Sequence, residues 1–167
     1  MTITVRNERP EDIDCIQDLT ELAFRGRPYS CKREHLLIDD LRADNALTVS
    51  LVALNESNII GHVALSPVSL PGASGPWFGL GPISVLPEWQ RKGVGTAMMN
   101  EALVRLTQQQ AAGCILVGDP RYYKRFGFAH DSSIIADGEP PEYTMILRLS
   151  SNSDHGVVRY HAAFAVH

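Results

Sequence analysis

The sequence predicts a single domain of the α/β (α+β) class, with helices and strands alternating around an antiparallel hairpin. Three observations carry that prediction. Residues 81–103, GPISVLPEWQRKGVGTAMMNEAL, read as a buried strand, a glycine-bearing loop and an amphipathic helix. Residues 46–68 read as two strands around the turn Asn55-Glu56-Ser57-Asn58, an antiparallel hairpin. The N-terminal residues alternate as a strand and then switch to helical spacing.

In chain order, Ile3 and Val5 alternate with polar neighbours over residues 2–6, a half-buried first strand. Pro10 suits a helix start, and Glu11 and Asp12 in the first turn suit the helix dipole. Ile16, Leu19 and Ala23 give that helix an apolar stripe, and Gly26 and Pro28 break it. Residues 32–44 read as a second helix, with Leu37 and Leu41 on one face. Between the two helices, Arg25, Arg27 and nearby Arg33 read first as a solvated charged loop. Residues 46–54 and 59–68 are the hairpin strands, and His62 in the second is read as structural. Residues 70–76 form a Pro- and Gly-rich loop before the central strand over residues 77–85.

Ile83 and Val85 are β-branched, with Ser84 between them, and Pro87 ends the ladder. The helix after the loop runs to about residue 110, with Gly95, Met99, Ala102, Leu103 and Leu106 on one face. Met98 and Met99 read as core filler. Residues 114–117 make a short buried strand. Asp119 can cap and Pro120 can open a two-turn helix that Gly127 closes. Residues 133–136 and 143–149 read as closing strands. Residues 157–166 either add a terminal strand or pack against the pocket or a partner subunit, and the sequence leaves these open.

The loop Gln90-Arg91-Lys92-Gly93-Val94-Gly95 has a legible chemistry. A helix start leaves about four N–H groups without partners and carries partial positive charge. Two glycines let a ligand approach the backbone, and Arg91 and Lys92 add formal charge. Together these make a receptacle for a phosphate or pyrophosphate. A Walker loop is excluded, because Lys92 precedes Gly93 instead of following the second glycine. The dinucleotide fingerprint is excluded too, because Met98 stands where a third glycine is needed.

The chain has 167 residues, enough for one domain, and no composition break or repeat divides it, so residues 1–167 read as one unit. A net charge of −4 argues against nucleic acid and acidic membrane as partners. No apolar run has membrane-spanning length, and the N-terminus lacks a signal-peptide core, so a cytoplasmic protein is expected. The three cysteines, Cys15, Cys31 and Cys114, are widely spaced and read as free thiols. Neither they nor the six histidines show ligand spacing, so no metal is expected.

The run Val85-Leu86-Pro87-Glu88-Trp89-Gln90-Arg91-Lys92-Gly93-Val94-Gly95-Thr96 resembles the acetyl-CoA pyrophosphate loop of the GNAT superfamily of N-acetyltransferases. Gly118-Asp119-Pro120-Arg121-Tyr122-Tyr123-Lys124-Arg125-Phe126-Gly127-Phe128 resembles the family's second cofactor segment. Together with Gly81-Pro82-Ile83-Ser84 and Val158-Arg159-Tyr160-His161, it is similar to a bacterial subgroup of small acetyltransferases. One departure stands: Asp119-Pro120 occupies the neighbourhood where many members carry an asparagine that contacts the cofactor.

The resemblance implies a mixed, mostly antiparallel central sheet, flanked by helices, that splays between its fourth and fifth strands, with acetyl-CoA as cosubstrate and its pantetheine arm in the cleft. Main-chain groups of Ile83 and Val85 would pair with that arm. The Val85 N–H would also stabilise the oxyanion. Amides of Gln90, Arg91, Lys92, Gly93, Val94, Gly95 and Thr96 would hold the pyrophosphate. Tyr123 would protonate the departing thiolate, with an aromatic wall for the arm as the alternative role; Tyr122 reads as packing. Glu34, His62, Glu88 and a water chain all stay open as the base.

The implied reaction moves an acetyl group to a primary amine of a small molecule or peptide. Arg25, Arg27 or Arg33 would then meet an acidic group of that acceptor. A homodimer is common in the family. The alternative is a non-catalytic acetyl-CoA-binding sensor or scaffold.

Overall fold

The computed structural model describes residues 2–166. The chain runs through β1 (Ile3–Asn7), α1 (Ile13–Phe24), α2 (Glu34–Ala43), β2 (Val49–Asn55), β3 (Asn58–Val68) and β4 (Trp77–Val85). It continues through α3 (Val94–Gln108), β5 (Gly113–Val117), α4 (Pro120–Tyr123), β6 (Ile134–Ala136), β7 (Thr144–Arg148), β8 (Gly156–Val158) and α5 (Ala163–Val166). Six strands form one sheet in the order β1-β2-β3-β4-β5-β7, antiparallel throughout except for β4 against β5.

That parallel pair is brief. Only Trp77, Phe78 and Gly79 pair with Gly113, Cys114 and Ile115. β5 then follows β7 along its whole length, so it diverges from β4 and leaves the second half of β4 without a strand on that side. A bulge sits where the divergence begins. Val63 faces Ile83 but Leu65 faces Leu80, so three steps of β4 oppose two of β3. Gly81 (φ 140°) and the cis Gly81–Pro82 bond lie at this point. A bulge bends the strand that carries it, which re-aims the end of β4.

One face of the sheet is covered by α3. Val94, Met98, Met99, Ala102 and Leu106 are buried against Leu51, Val63 and Leu65. Burying one such side chain contributes roughly 1.5–3 kcal/mol. Both methionines are core, as expected, but Val94 and Met98 take the buried places expected of Gly95 and Leu103. The helical period holds while the rotation about the helix axis differs, because the sheet beneath sets which part of the stripe is covered. The other face packs under α1 and α2, with Ile16 and Ile38 on Val52 and Leu54. Ala46 and Leu47, expected in the strand, precede β2 and pack with Leu37 and Leu41 of α2.

The C-terminal segment splits between the alternatives. β8 pairs in parallel with β6 in a small second sheet. Arg159 bridges to Ser69, and Tyr160 lies under the central strand, where a Cβ on Gly79 would come 2.7 Å from its ring. α5 then packs on α2 through Ala163. Asp154 secures the start of the segment, accepting from the Ser74 N–H (2.8 Å), the Ser74 hydroxyl (2.8 Å) and the Trp77 indole (2.9 Å). The last residue of the chain, His167, lies outside the described residues.

Candidate active site

The unpaired half of β4 defines the site. The Leu86 N–H donates to the Ile60 carbonyl of β3 at 3.0 Å. Backbone groups alternate sides along a strand, so Ser84 also turns toward β3 while Ile83 and Val85 turn their N–H and C=O into the gap. The Gln90 side chain reaches the Val85 carbonyl on that open side, donating at 3.3 Å.

At the end of β4 one 3-10 turn, Pro87–Trp89, leads into the loop. Arg91 (φ 60°) and Gly93 (φ 86°) both adopt the left-handed region, two residues apart. The first backbone bond of α3 runs from the Ala97 N–H to the Gly93 carbonyl at 3.0 Å. Amides of Arg91, Lys92, Gly93, Val94, Gly95 and Thr96 therefore make no backbone hydrogen bond among the described residues, whereas the Gln90 N–H, expected to be free with them, donates to the Pro87 carbonyl at 3.3 Å and closes the 3-10 turn. Such a run of free, convergent N–H groups at a helix start is an anion-binding concavity. Arg91 and Lys92 are exposed beside it and form no ion pair among the described residues. The Lys92 stem is held over the Trp89 ring, with the ammonium 5.3 Å from its centroid.

Across the gap, Asp119 caps α4 by accepting the Arg121 N–H at 2.9 Å, and Gly127 (φ 95°) ends the following 3-10 turn Lys124–Phe126. The Tyr123 ring lies against Gly118 at the end of β5, where any Cβ would collide with it. It packs edge-on to Tyr122 (4.9 Å) and Phe128 (6.2 Å). Its hydroxyl has no hydrogen-bond partner among the described residues. Burial pushes its pKa well above the usual tyrosine value, with Tyr122 and Tyr29 adding to the shift.

The sequence assigns Tyr122 to packing alone. Its ring does pack, against Phe126 (5.5 Å) and under the Arg125 guanidinium (4.5 Å). Its hydroxyl, however, reaches the amide loop: a Cβ on Gly95 would lie 2.9 Å from it. Nothing in the local sequence signals this reach, because it depends on how α4 docks across the gap.

The segment between α1 and α2 closes the third side. Arg27 donates to the Gln90 side-chain oxygen at 3.2 Å, which ties this segment to the loop. Arg25 and Arg33 are exposed. Of the three candidate bases, Glu88 is exposed on the 3-10 turn. Glu34 is buried and accepts hydrogen bonds from the Ser30 hydroxyl and, at 3.1 Å, the Cys31 thiol. His62 is fully buried beneath α1, and burial pushes its pKa down to about 4. Among the described residues no cluster of three or more His, Cys, Asp or Glu is placed to hold a metal ion. Nor is any helix among them long and apolar enough to cross a membrane.

A splayed sheet with an amide loop at the head of its following helix is the frame of an acetyltransferase. The family model described as an acetyltransferase (GNAT) domain matches residues 47–130. The uncharacterised N-acetyltransferase YhbS of Escherichia coli K12 is 33% identical over 150 residues, covering 85% of this chain and 89% of that protein. A solved GNAT acetyltransferase from Brucella melitensis, in complex with acetyl-CoA, is 42% identical over 98% of both chains, with a TM-score of 0.86. The Escherichia coli YhbS structure in complex with CoA is 30% identical, covers 98% of this chain and 92% of its own, and superposes with a TM-score of 0.89. The chain belongs to the GNAT family of N-acetyltransferases.

Proposed function

We propose that this protein transfers the acetyl group of acetyl-CoA to a primary amine of a small molecule or peptide by direct attack, with Tyr123 as general acid. The observation that supports it best is the continuity between the open edge of β4 and the free amides of residues 91–96. One accepts an extended amide-bearing arm as a further strand, and the other accepts a pyrophosphate.

Ile83 and Val85 offer main-chain groups to the pantetheine arm, and the Val85 N–H can stabilise the oxyanion as the amine attacks. The amides of Arg91, Lys92, Gly93, Val94, Gly95 and Thr96 hold the pyrophosphate, with the Arg91 and Lys92 side chains neutralising its charge. Gln90 positions the loop against Val85. Tyr123 stays protonated at neutral pH because burial raises its pKa, so it has a proton to give the departing thiolate.

The first test is calorimetric titration with acetyl-CoA beside NAD and ATP, followed by turnover on a mixed amine panel. Selective acetyl-CoA binding with acetylation of at least one amine is expected. Binding only to NAD or ATP would overturn the cosubstrate assignment. Binding of acetyl-CoA without acetylation of any amine would replace the enzyme reading with a sensor.

A further inference from the structure

The attacking amine must lose a proton, and the α1 face of the sheet holds buried polar groups that the acetyl-transfer reading does not use. His62 and Ser66 are 0% exposed and Ser84 is 2% exposed. The His62 Nδ1 and the hydroxyls of Ser66 and Ser84 have no hydrogen-bond partner among the described residues. Ser84 stands directly opposite His62 in the β3–β4 ladder. Opposed residues of an antiparallel pair place their Cβ atoms about 4.5–5.5 Å apart on one face. Ser84 is also the residue between Ile83 and Val85, on the strand that borders the gap.

On its other side His62 is held by a defined chain. Its Nε2 lies 2.8 Å from the Ser50 hydroxyl, and that hydroxyl is hydrogen-bonded to Glu8. Arg42 grips the Glu8 carboxylate at 2.9 and 3.0 Å. Burial pushes the Glu8 carboxyl up, but the hydrogen bonds from Arg42 and Ser50 outweigh it and hold it below its usual pKa. An ionised carboxylate only accepts, so the Ser50 hydroxyl donates to Glu8 and its oxygen is left to accept from His62. The network thereby assigns the hydrogen of the neutral ring to Nε2. Nδ1 is then a bare acceptor in a buried site, with an unpartnered serine on the neighbouring strand.

We infer that Ser84 and His62 form the proton-accepting arm of the acetyl-transfer site. As the N–C bond forms, the amine proton passes through water admitted from the gap to the Ser84 hydroxyl, which is shielded from direct contact with substrate. Ser84 passes its own proton to His62 Nδ1, directly or through one bridging water. Glu8, 4.0 Å from Nε2 and hydrogen-bonded to the intervening Ser50, stabilises the imidazolium against Arg42 beyond it. The C–S bond breaks and the thiolate takes the Tyr123 proton. When product leaves, His62 gives its Nδ1 proton to water entering the cleft and Tyr123 regains one, so protons balance. His62 acts through Ser84 and does not touch substrate. This arm rests on the acetyl-transfer reading.

Two measurements test it. Long-range 15N NMR of the wild-type protein, without acetyl-CoA, should show His62 as the neutral Nε2–H tautomer at pH 7. A proton on Nδ1 would overturn the arm whatever the activity. Ser84→Ala is the kinetic test. An orphaned buried hydroxyl contributes nothing to stability when replaced by an apolar group, so Tm should hold or rise. With an amine that the wild type acetylates, kcat should fall about tenfold or more while acetyl-CoA affinity is unchanged. A kcat within about twofold of wild type, with chemistry limiting, would overturn the arm and leave the acetyl-transfer reading intact. A wild type that acetylates no amine would remove both.

Discussion

Replacing Tyr123 by Phe tests the general acid with little structural disturbance. The ring contacts with Tyr122 and Phe128 and against Gly118 survive the change. The hydroxyl has no hydrogen-bond partner to strand, so stability should stay within about 0.5 kcal/mol of wild type. The kinetic effect should be large. Positioned general acids contribute about 10²–10⁴-fold, so kcat should drop about 100-fold, or roughly 2.7 kcal/mol in the barrier. In the proposed binding mode acetyl-CoA is held by main-chain groups elsewhere, so its affinity should be unchanged.

The assay is release of CoA thiol at saturating acetyl-CoA and amine, with the absence of a pre-steady-state burst used to confirm that no step after chemistry limits. Tyr122→Phe is the control, because that hydroxyl reaches Gly95 and not the end of β5. It should weaken acetyl-CoA binding modestly and leave kcat nearly intact. An unchanged kcat in Tyr123→Phe, or a larger loss in Tyr122→Phe, would refute the assignment. The wild type should also show no loss of kcat from Tyr123 ionisation below about pH 10, since burial raises this phenol above its ordinary value.

At Gly93, which has φ 86° and open space where a Cβ would stand, Ala should cost only backbone strain of about 1–2 kcal/mol, while Asp adds negative charge at the pyrophosphate. Calorimetry should show Gly93→Asp binding acetyl-CoA at least about tenfold more weakly than Gly93→Ala; equal affinities would sink the loop assignment. His62 predicts a pH effect on stability. Its pKa falls from 6.5 to about 4 in the folded protein, so as pH drops the unfolded chain binds the proton first. Stability from this group is therefore full above pH 6.5 and is lost toward pH 4, by about 3 kcal/mol in all. Urea denaturation at about pH 7.5 and about pH 4.5 should register most of that loss, and a His62→Gln variant should flatten it.

What the sequence made legible was local. The bounds of β4 match the expected strand, since Pro87 and the β-branched run state them in adjacent residues. The Asp119 cap and the Gly127 stop were readable for the same reason. The Glu8–Ser50–His62 chain was not, because its members come from three neighbouring stretches of the sheet that meet only through register. The Arg27–Gln90 contact spans 63 positions and follows from where the segment after α1 folds back. Ala46 and Leu47 show the reverse error. Their hydrophobicity lengthened the expected strand, whereas they pack against α2 outside the ladder.

β4 presents different groups to the α3 core, the gap and the α1 face within three consecutive residues because a strand alternates in two senses at once. Side chains alternate between faces, and backbone groups alternate between neighbouring strands. Ile83 and Val85 thus aim side chains at the α3 core and main-chain groups at the gap. Ser84 aims its backbone at β3 and its side chain at His62 under α1. The bulge around Gly81 and Pro82 fixes this phase. Without the extra residue, everything after it would exchange faces, placing Ser84 in the α3 core and an apolar side chain opposite His62. Deleting one residue of the Gly81-Pro82 pair should therefore abolish acetyl-CoA binding and stability together, whereas Ser84→Ala should separate turnover from both.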